Sequence, residues 1–122
     1  MIGVDIQEVD RFQSIVGTDK MPRMFSKREL DYISRKGFAL ETVAGMFCAK
    51  EAFFKAVGTG INVSLLPKVE VCHLTSGAPY YSLSPEIIKQ CNLSTARVDL
   101  SISHTKTTAV AVCHITRGAM MV

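Results

Sequence analysis

The 122-residue sequence contains no tryptophan, and its four cysteines never stand as a CxxC pair. Structural zinc sites bring their ligands in closely spaced couples, so Cys48, Cys72, Cys91 and Cys113 do not read as a zinc centre. With 48% hydrophobic residues the chain can build a core without a disulfide framework, and the thiols read as buried and free. No apolar run approaches the roughly 20 residues that cross a bilayer. The first segment, MIGVDIQEVDRF, carries Asp5, Glu8 and Asp10 where a signal peptide needs uninterrupted apolar residues. Repeats and low-complexity tracts are absent, as are a GxxxxGK[ST] phosphate loop and a GxSxG elbow. These exclusions leave one soluble, cytoplasmic domain over residues 1–122, with no membrane partner, as the expectation.

The net charge of +3 is mild, but its distribution is uneven. Lys20, Arg23, Lys27, Arg28, Arg35 and Lys36 gather in the N-terminal third. Such a cluster fits an acidic partner or a polyanion, and equally a solvated helix face. An RNA-binding sheet would interleave aromatics with the basic residues, and the three tyrosines do not do so, which argues against nucleic acid.

Alternation over Met1–Val9 predicts a strand with Ile2, Val4 and Ile6 on one face and Gly3, Asp5 and Gln7 on the other. A short helix follows over Val9–Ile15, and Pro22 marks a break. Ser26 and Glu29 form a capping-box pattern that opens a helix running to Gly37. The longest helix is expected from about Ala39 to Val57, stopped by Gly58-Thr59-Gly60. After a loop containing Pro67, Val69–Leu74 and Tyr80–Leu83 read as a hairpin around the turn at Gly77-Ala78-Pro79. Ser84-Pro85-Glu86 opens a helix to about Cys91. Arg97–Ser103 and Thr108–Ile115 are the clearest strands. The fold class is α+β: an antiparallel sheet packed with one long helix and shorter helices.

Four features could carry chemistry. In FCAKEAFFKAVGTGI, Lys50, Glu51 and Lys55 interrupt an apolar helix, and charges are costly to bury unless paired or liganded. Glu51 and Lys55 are i,i+4 neighbours, so a structural ion pair and a functional site both remain open. Asp is disfavoured inside strands, so Asp5 needs a reason. If Asp5 and Glu51 converge, two carboxylates without His or Cys suit a hard cation such as Mg²⁺, or a general acid/base pair. Gly58-Thr59-Gly60 allows close backbone approach to a ligand, although a helix end uses glycine for structural reasons too. Ser103-His104-Thr105-Lys106-Thr107-Thr108 offers an imidazole, an ammonium and hydroxyls at one sheet end, which suits phosphate. His73 and His114 read as ordinary core or edge histidines.

Three segments, IGVDIQEVDRF, FCAKEAFFKAVGTGI and LSISHTKTTAVAV, resemble the bacterial holo-acyl carrier protein synthases, the small trimeric class of 4′-phosphopantetheinyl transferases. The resemblance runs along nearly the whole chain, with KEAFFKAxGTGI its most specific part. It implies transfer of 4′-phosphopantetheine from coenzyme A to a serine of an acidic apo-acyl carrier protein, in support of fatty acid biosynthesis, with 3′,5′-ADP released. It also implies a homotrimer with active sites between subunits. Asp5 and Glu51 fall on the family's Mg²⁺ ligands, and a water beside Glu51 on its proton relay. Lys55 falls on the lysine that contacts the transferred phosphate. Ser103, His104 and Thr105 match the segment that helps hold the nucleotide and its 3′-phosphate. Gly58, Gly60, Gly77 and Pro79 match loops along the coenzyme A site. Arg11 matches a carrier-docking position, with Lys20, Arg23 and Arg28 its companions by charge. Two departures stand out: Met46 where the family often has Arg, which removes one phosphate or subunit contact, and Cys48 where it often has Ala. A relative that binds coenzyme A or carrier without turnover is the competing expectation, with Met46 as its support.

Overall fold

Residues Leu40–Val57 (α3) are apolar on nearly every face, and a helix of that kind is stable only when surrounded. In the computed structural model, which describes residues 1–118, α3 runs through the middle and is buried from Val43 to Ala56 except at Lys55. The last four positions of the expected 1–122 unit lie outside the described residues. One side of α3 is covered by a three-stranded antiparallel sheet formed by β1 (Ile2–Glu8), β5 (Thr108–Arg117) and β4 (Ala96–His104), in that order. A hairpin of β2 (Val69–His73) and β3 (Pro79–Leu83) makes a second, separate sheet.

Short helices fill the remaining sides. They are α1 (Met21–Met24), α2 (Lys27–Arg35) and α4 (Pro85–Gln90), with 3₁₀ turns at Val9–Ser14 and Val63–Lys68. The capping box is present on α2: the Glu29 backbone N–H donates to Ser26 Oγ, and the Ser26 N–H donates to Glu29 Oε1 at 2.9 Å. Pro22 does not break the chain as expected. It sits in the first turn of α1, where its missing N–H would have had no partner. The turn at Val63–Lys68 escapes the sequence pattern because it is one short 3₁₀ segment, capped by Asn62 and carrying Pro67.

Gly3 fixes how closely sheet and helix approach. A Cβ on Gly3 would stand 2.0 Å from the Ala52 carbonyl oxygen and 2.4 Å from the Ala56 nitrogen, so the β1 backbone lies directly on α3. The alternation of β1 then has an outcome the residue types disguise. Gly3 and Asp5 face α3, whereas Ile2, Val4 and Ile6 face outward with 53–69% of their surface exposed. On β5, Val112 and His114 stand opposite Val4 and Ile2 and continue the same outer face.

Candidate active site

Lys50 and Lys55 leave α3 in different directions and meet opposite fates. Lys50 is fully buried, and its three ammonium donors reach Glu29 Oε1 at 2.7 Å, the Leu66 carbonyl at 2.7 Å and the Val69 carbonyl at 2.8 Å. Glu29 is completed by donors from the Ser26 and Val71 backbone. Every polar atom of this pair has a partner, so it ties α2, α3 and the start of β2 together and has no capacity left for a ligand. Burial pushes the Glu29 carboxyl up and the Lys50 ammonium down, while their mutual attraction opposes both shifts.

Lys55 is half exposed and does not form the expected helical pair with Glu51. Its Nζ donates instead to Asp5 Oδ1 at 3.0 Å. The close Gly3 contact explains this correction, because it brings the buried Asp5 carboxylate against the last turns of α3. Asp5 Oδ2 accepts from Gln7 Nε2 at 2.9 Å, and Gln7 in turn accepts from Arg11. The hydrogen bond to Asp5 raises the Lys55 ammonium above its ordinary value.

Glu51, 9% exposed, completes the group. Its carboxyl is pushed up to about 7, first by burial and then by the neighbouring Asp5 carboxylate, with Lys55 and Arg11 opposing the shift. Two carboxylates therefore converge in a poorly solvated place, within hydrogen-bonding reach of each other. That donor set fits a hard divalent cation: oxygen only, with two carboxylates side by side. Among the described residues no group of three or more His, Cys, Asp or Glu is arranged to hold a metal ion. A cation held by two carboxylates would keep water and substrate phosphate on its other positions, as Mg²⁺ does. Cys48 also lies here, with Sγ 3.5 Å from the Ala109 carbonyl. Burial and Asp5 push its thiol up to about 12, so it is a neutral filler and not a nucleophile.

The remaining sequence-derived positions separate into groups. Gly77, Pro79 and His104 line one cavity of about 180 Å³ together with Tyr32, Glu41, Met46, His73 and Ile102. Gly60 does not join them. It lines a different cavity, of about 220 Å³, with Phe54, Asn62 and Leu65. Gly58 caps α3 with φ +80° and Gly60 has φ +67°, so both glycines are required by backbone conformation alone. Ser103 and His104 belong to the end of β4, and the true turn is only Thr105–Thr107, held by Thr105 Oγ1 accepting from the Thr107 and Thr108 N–H groups. Arg11 lies over the Phe12 and Phe47 rings and is bound to Gln7, which places it beside the carboxylates. Lys20 and Arg23 are exposed at α1, where Arg23 faces Asp19 at 3.8 Å.

His73, read from the sequence as a core or edge histidine, lines the cavity of Gly77, Pro79 and His104. It stacks on Tyr32 with ring centroids 4.0 Å apart and the planes 1° from parallel, and its Nδ1 is buried without a hydrogen-bond partner. A lone His in a strand gives no local signal of this, because its partner comes from α2.

Comparisons with known proteins agree on one family. The description "4′-phosphopantetheinyl transferase superfamily" matches residues 1–113. A holo-[acyl-carrier-protein] synthase of Caldicellulosiruptor saccharolyticus is 43% identical over 112 residues, 90% of each chain. The crystal structure of the holo-[acyl-carrier-protein] synthase of Neisseria meningitidis superposes with a TM-score of 0.84 at 31% identity, covering 95% of this chain and 97% of that one. A Bacillus anthracis holo-(acyl-carrier-protein) synthase in complex with CoA (3′,5′-ADP) gives 0.77 at 35% identity, over 93% of both chains. With a superfamily match over almost the whole length and these relatives behind it, the chain belongs to the 4′-phosphopantetheinyl transferase superfamily, within its holo-[acyl-carrier-protein] synthase family.

Proposed function

We propose that the chain is a Mg²⁺-dependent holo-[acyl-carrier-protein] synthase, which moves 4′-phosphopantetheine from coenzyme A to a serine of apo-acyl carrier protein. The observation that carries this reading is the convergence of Asp5, Glu51 and Lys55, from β1 and from the KEAFFK stretch of α3. Asp5 and Glu51 would hold the Mg²⁺, which supplies charge neutralisation for the pyrophosphate oxygens. Lys55 has a flexible, half-exposed side chain whose ammonium can pass from Asp5 to a phosphate oxygen. There it stabilises the negative charge that develops as the bond to the leaving group breaks. The serine oxygen attacks the β-phosphorus, the bond from that phosphorus to the bridging oxygen breaks, and 3′,5′-ADP departs. The serine proton passes to a water held beside the Glu51 carboxylate.

The nucleotide end of coenzyme A is assigned to the cavity of Gly77, Pro79 and His104, with Ser103 and Thr105 beside it. The pantetheine arm is assigned to the Gly58–Gly60 loop. Arg11, Lys20, Arg23 and Arg28 are the docking cations for the acidic carrier; they act on encounter more than on final affinity. The outward row of Ile2, Val4 and Ile6 supports a homotrimer, since an exposed apolar sheet face of this kind needs a cover. Four free cysteines support a reducing, cytoplasmic location.

The test is to incubate the protein with apo-acyl carrier protein, coenzyme A and Mg²⁺ and to weigh the carrier by mass spectrometry. The expected result is the mass gain of one phosphopantetheine on the carrier serine. An unmodified carrier in the presence of Mg²⁺ and a folded protein overturns the reading.

A further inference from the structure

Gly3, Asp5 and Gln7 alternate along β1 on the face turned to α3. Across the ladder, Asp5 stands opposite Ala111 and Gln7 opposite Ala109, small residues that leave room for longer neighbours. Both oxygens of Asp5 are held there, Oδ1 by Lys55 at 3.0 Å and Oδ2 by Gln7 Nε2 at 2.9 Å. The two donors differ in permanence. Lys55 is the half-exposed ammonium that passes to a phosphate oxygen during transfer. Gln7 stays, and it is then the donor that keeps the plane of the Asp5 carboxylate fixed. Among the described residues its side chain has only two partners, Asp5 and Arg11.

A primary amide has two ends of nearly the same shape, one that donates and one that accepts. Turned the wrong way, Gln7 would set its oxygen against Asp5 Oδ2 and repel it. Arg11 decides the orientation. A guanidinium only donates, so the end that Arg11 Nη1 touches has to be Oε1, and the NH₂ is left for Asp5. Arg11 is itself steadied by two rings, with its guanidinium 5.6 Å from the Phe12 centroid and 5.2 Å from that of Phe47. Among the described residues no carboxylate lies within 4.0 Å of it. Its remaining N–H groups can therefore meet an acidic carrier while Nη1 stays on Gln7. We propose that Gln7 is a positioning residue, which ties the docking cation Arg11 to the orientation of the Asp5 carboxylate. Arg11 then serves the reaction twice, once at the carrier and once through Gln7. The inference rests on the carrier and metal reading above.

The native chain, Gln7→Met, Arg11→Ala and the double variant are compared in two measurements. One is steady-state transfer to apo-acyl carrier protein with Mg²⁺; the other is calorimetric titration with Mn²⁺, coenzyme A present and carrier absent. Gln7→Met should lower kcat and weaken Mn²⁺ binding, each by about tenfold, with the KM for carrier within about twofold of native. Arg11→Ala should lower kcat by a similar factor and also raise the KM for carrier. In the double variant the two kcat losses should not multiply, because both act through one amide, whereas the rise in KM persists. Arg11→Lys, which still donates to Oε1, should keep most of the native kcat. Losses in kcat that multiply, or a Gln7→Met variant with native kcat and native Mn²⁺ affinity, overturn the inference. So does a Gln7→Met variant that loses activity with its denaturation midpoint lowered and its Mn²⁺ affinity unchanged, which would make the bond structural only. A native chain that neither takes up Mn²⁺ nor modifies the carrier overturns the proposed function itself, and this role with it.

Discussion

Two lysine–carboxylate pairs start from the same helix five positions apart, Lys50 with Glu29 and Lys55 with Asp5, and their contrast separates architecture from chemistry. In the first, every donor and acceptor is used inside the fold, and both side chains are buried. In the second, a half-exposed ammonium meets a buried carboxylate beside a second carboxylate, Glu51. Charge and sequence neighbourhood are nearly the same. Saturation of hydrogen bonding is what differs, and it decides which pair can exchange its partners for a substrate.

The contrast can be broken from either side. The largest effect is expected for Glu29→Ala, which strands a buried ammonium and should cost about 3–5 kcal/mol of stability by denaturant titration. Replacing both Lys50 and Glu29 by apolar residues of similar size should not recover that loss, because the Leu66 and Val69 carbonyls and the Ser26 and Val71 N–H groups would lack partners; a double variant as stable as the native protein would contradict the saturated-pair account. Next comes Glu51→Ala, for which turnover should fall by about 10³-fold with the denaturation midpoint little changed. Activity near the native level at low Mg²⁺ would remove Glu51 from the metal site. Lys55→Ala should lower kcat by about 10–100-fold with a smaller change in coenzyme A affinity. The reverse pattern would make Lys55 a binding residue only.

The smallest effect is a pH slope. Folding raises the Glu51 carboxyl from 4.5 to about 7, so the folded state holds this proton more tightly than the unfolded one. Its contribution to stability is full below pH 4.5 and is lost as pH rises through about 7. Metal-free protein should therefore lose stability between pH 5 and 8 through this group, and Glu51→Gln should flatten that part of the profile. Thermal melts in chelator across this range check it, and an equal slope in the variant would deny the shift.

The sequence disclosed those parts of the molecule whose causes lie within a few residues of each other. The Ser26–Glu29 capping box, the Gly58 stop of α3 and the Pro85 start of α4 depend on local backbone donors and dihedrals, and each stands where the pattern put it. Lys50 could not be explained in this way, because its three acceptors lie 16 to 21 positions away and belong to α2 and the approach to β2. The Glu51–Lys55 spacing gave an incomplete picture for a related reason. Helical periodicity sees only the helix, whereas the competing acceptor, Asp5, arrives from a strand 50 positions earlier. Pairing of Gly77 and Pro79 with His104, without Gly60, likewise depends on how the hairpin and β4 close over α3.

Gly3 has a consequence for how this site can vary. Strand and helix meet there with no side chain between them and no room for a Cβ on the strand. Asp5 is two residues further along the same strand, so the strand acts as a gauge that sets the distance from its carboxylate to Glu51 and Lys55. A methyl group at position 3 touches no substrate, yet it would lift the gauge and spread the two carboxylates apart. Loss of turnover, with the individual site residues all intact, is the signature such a change would leave.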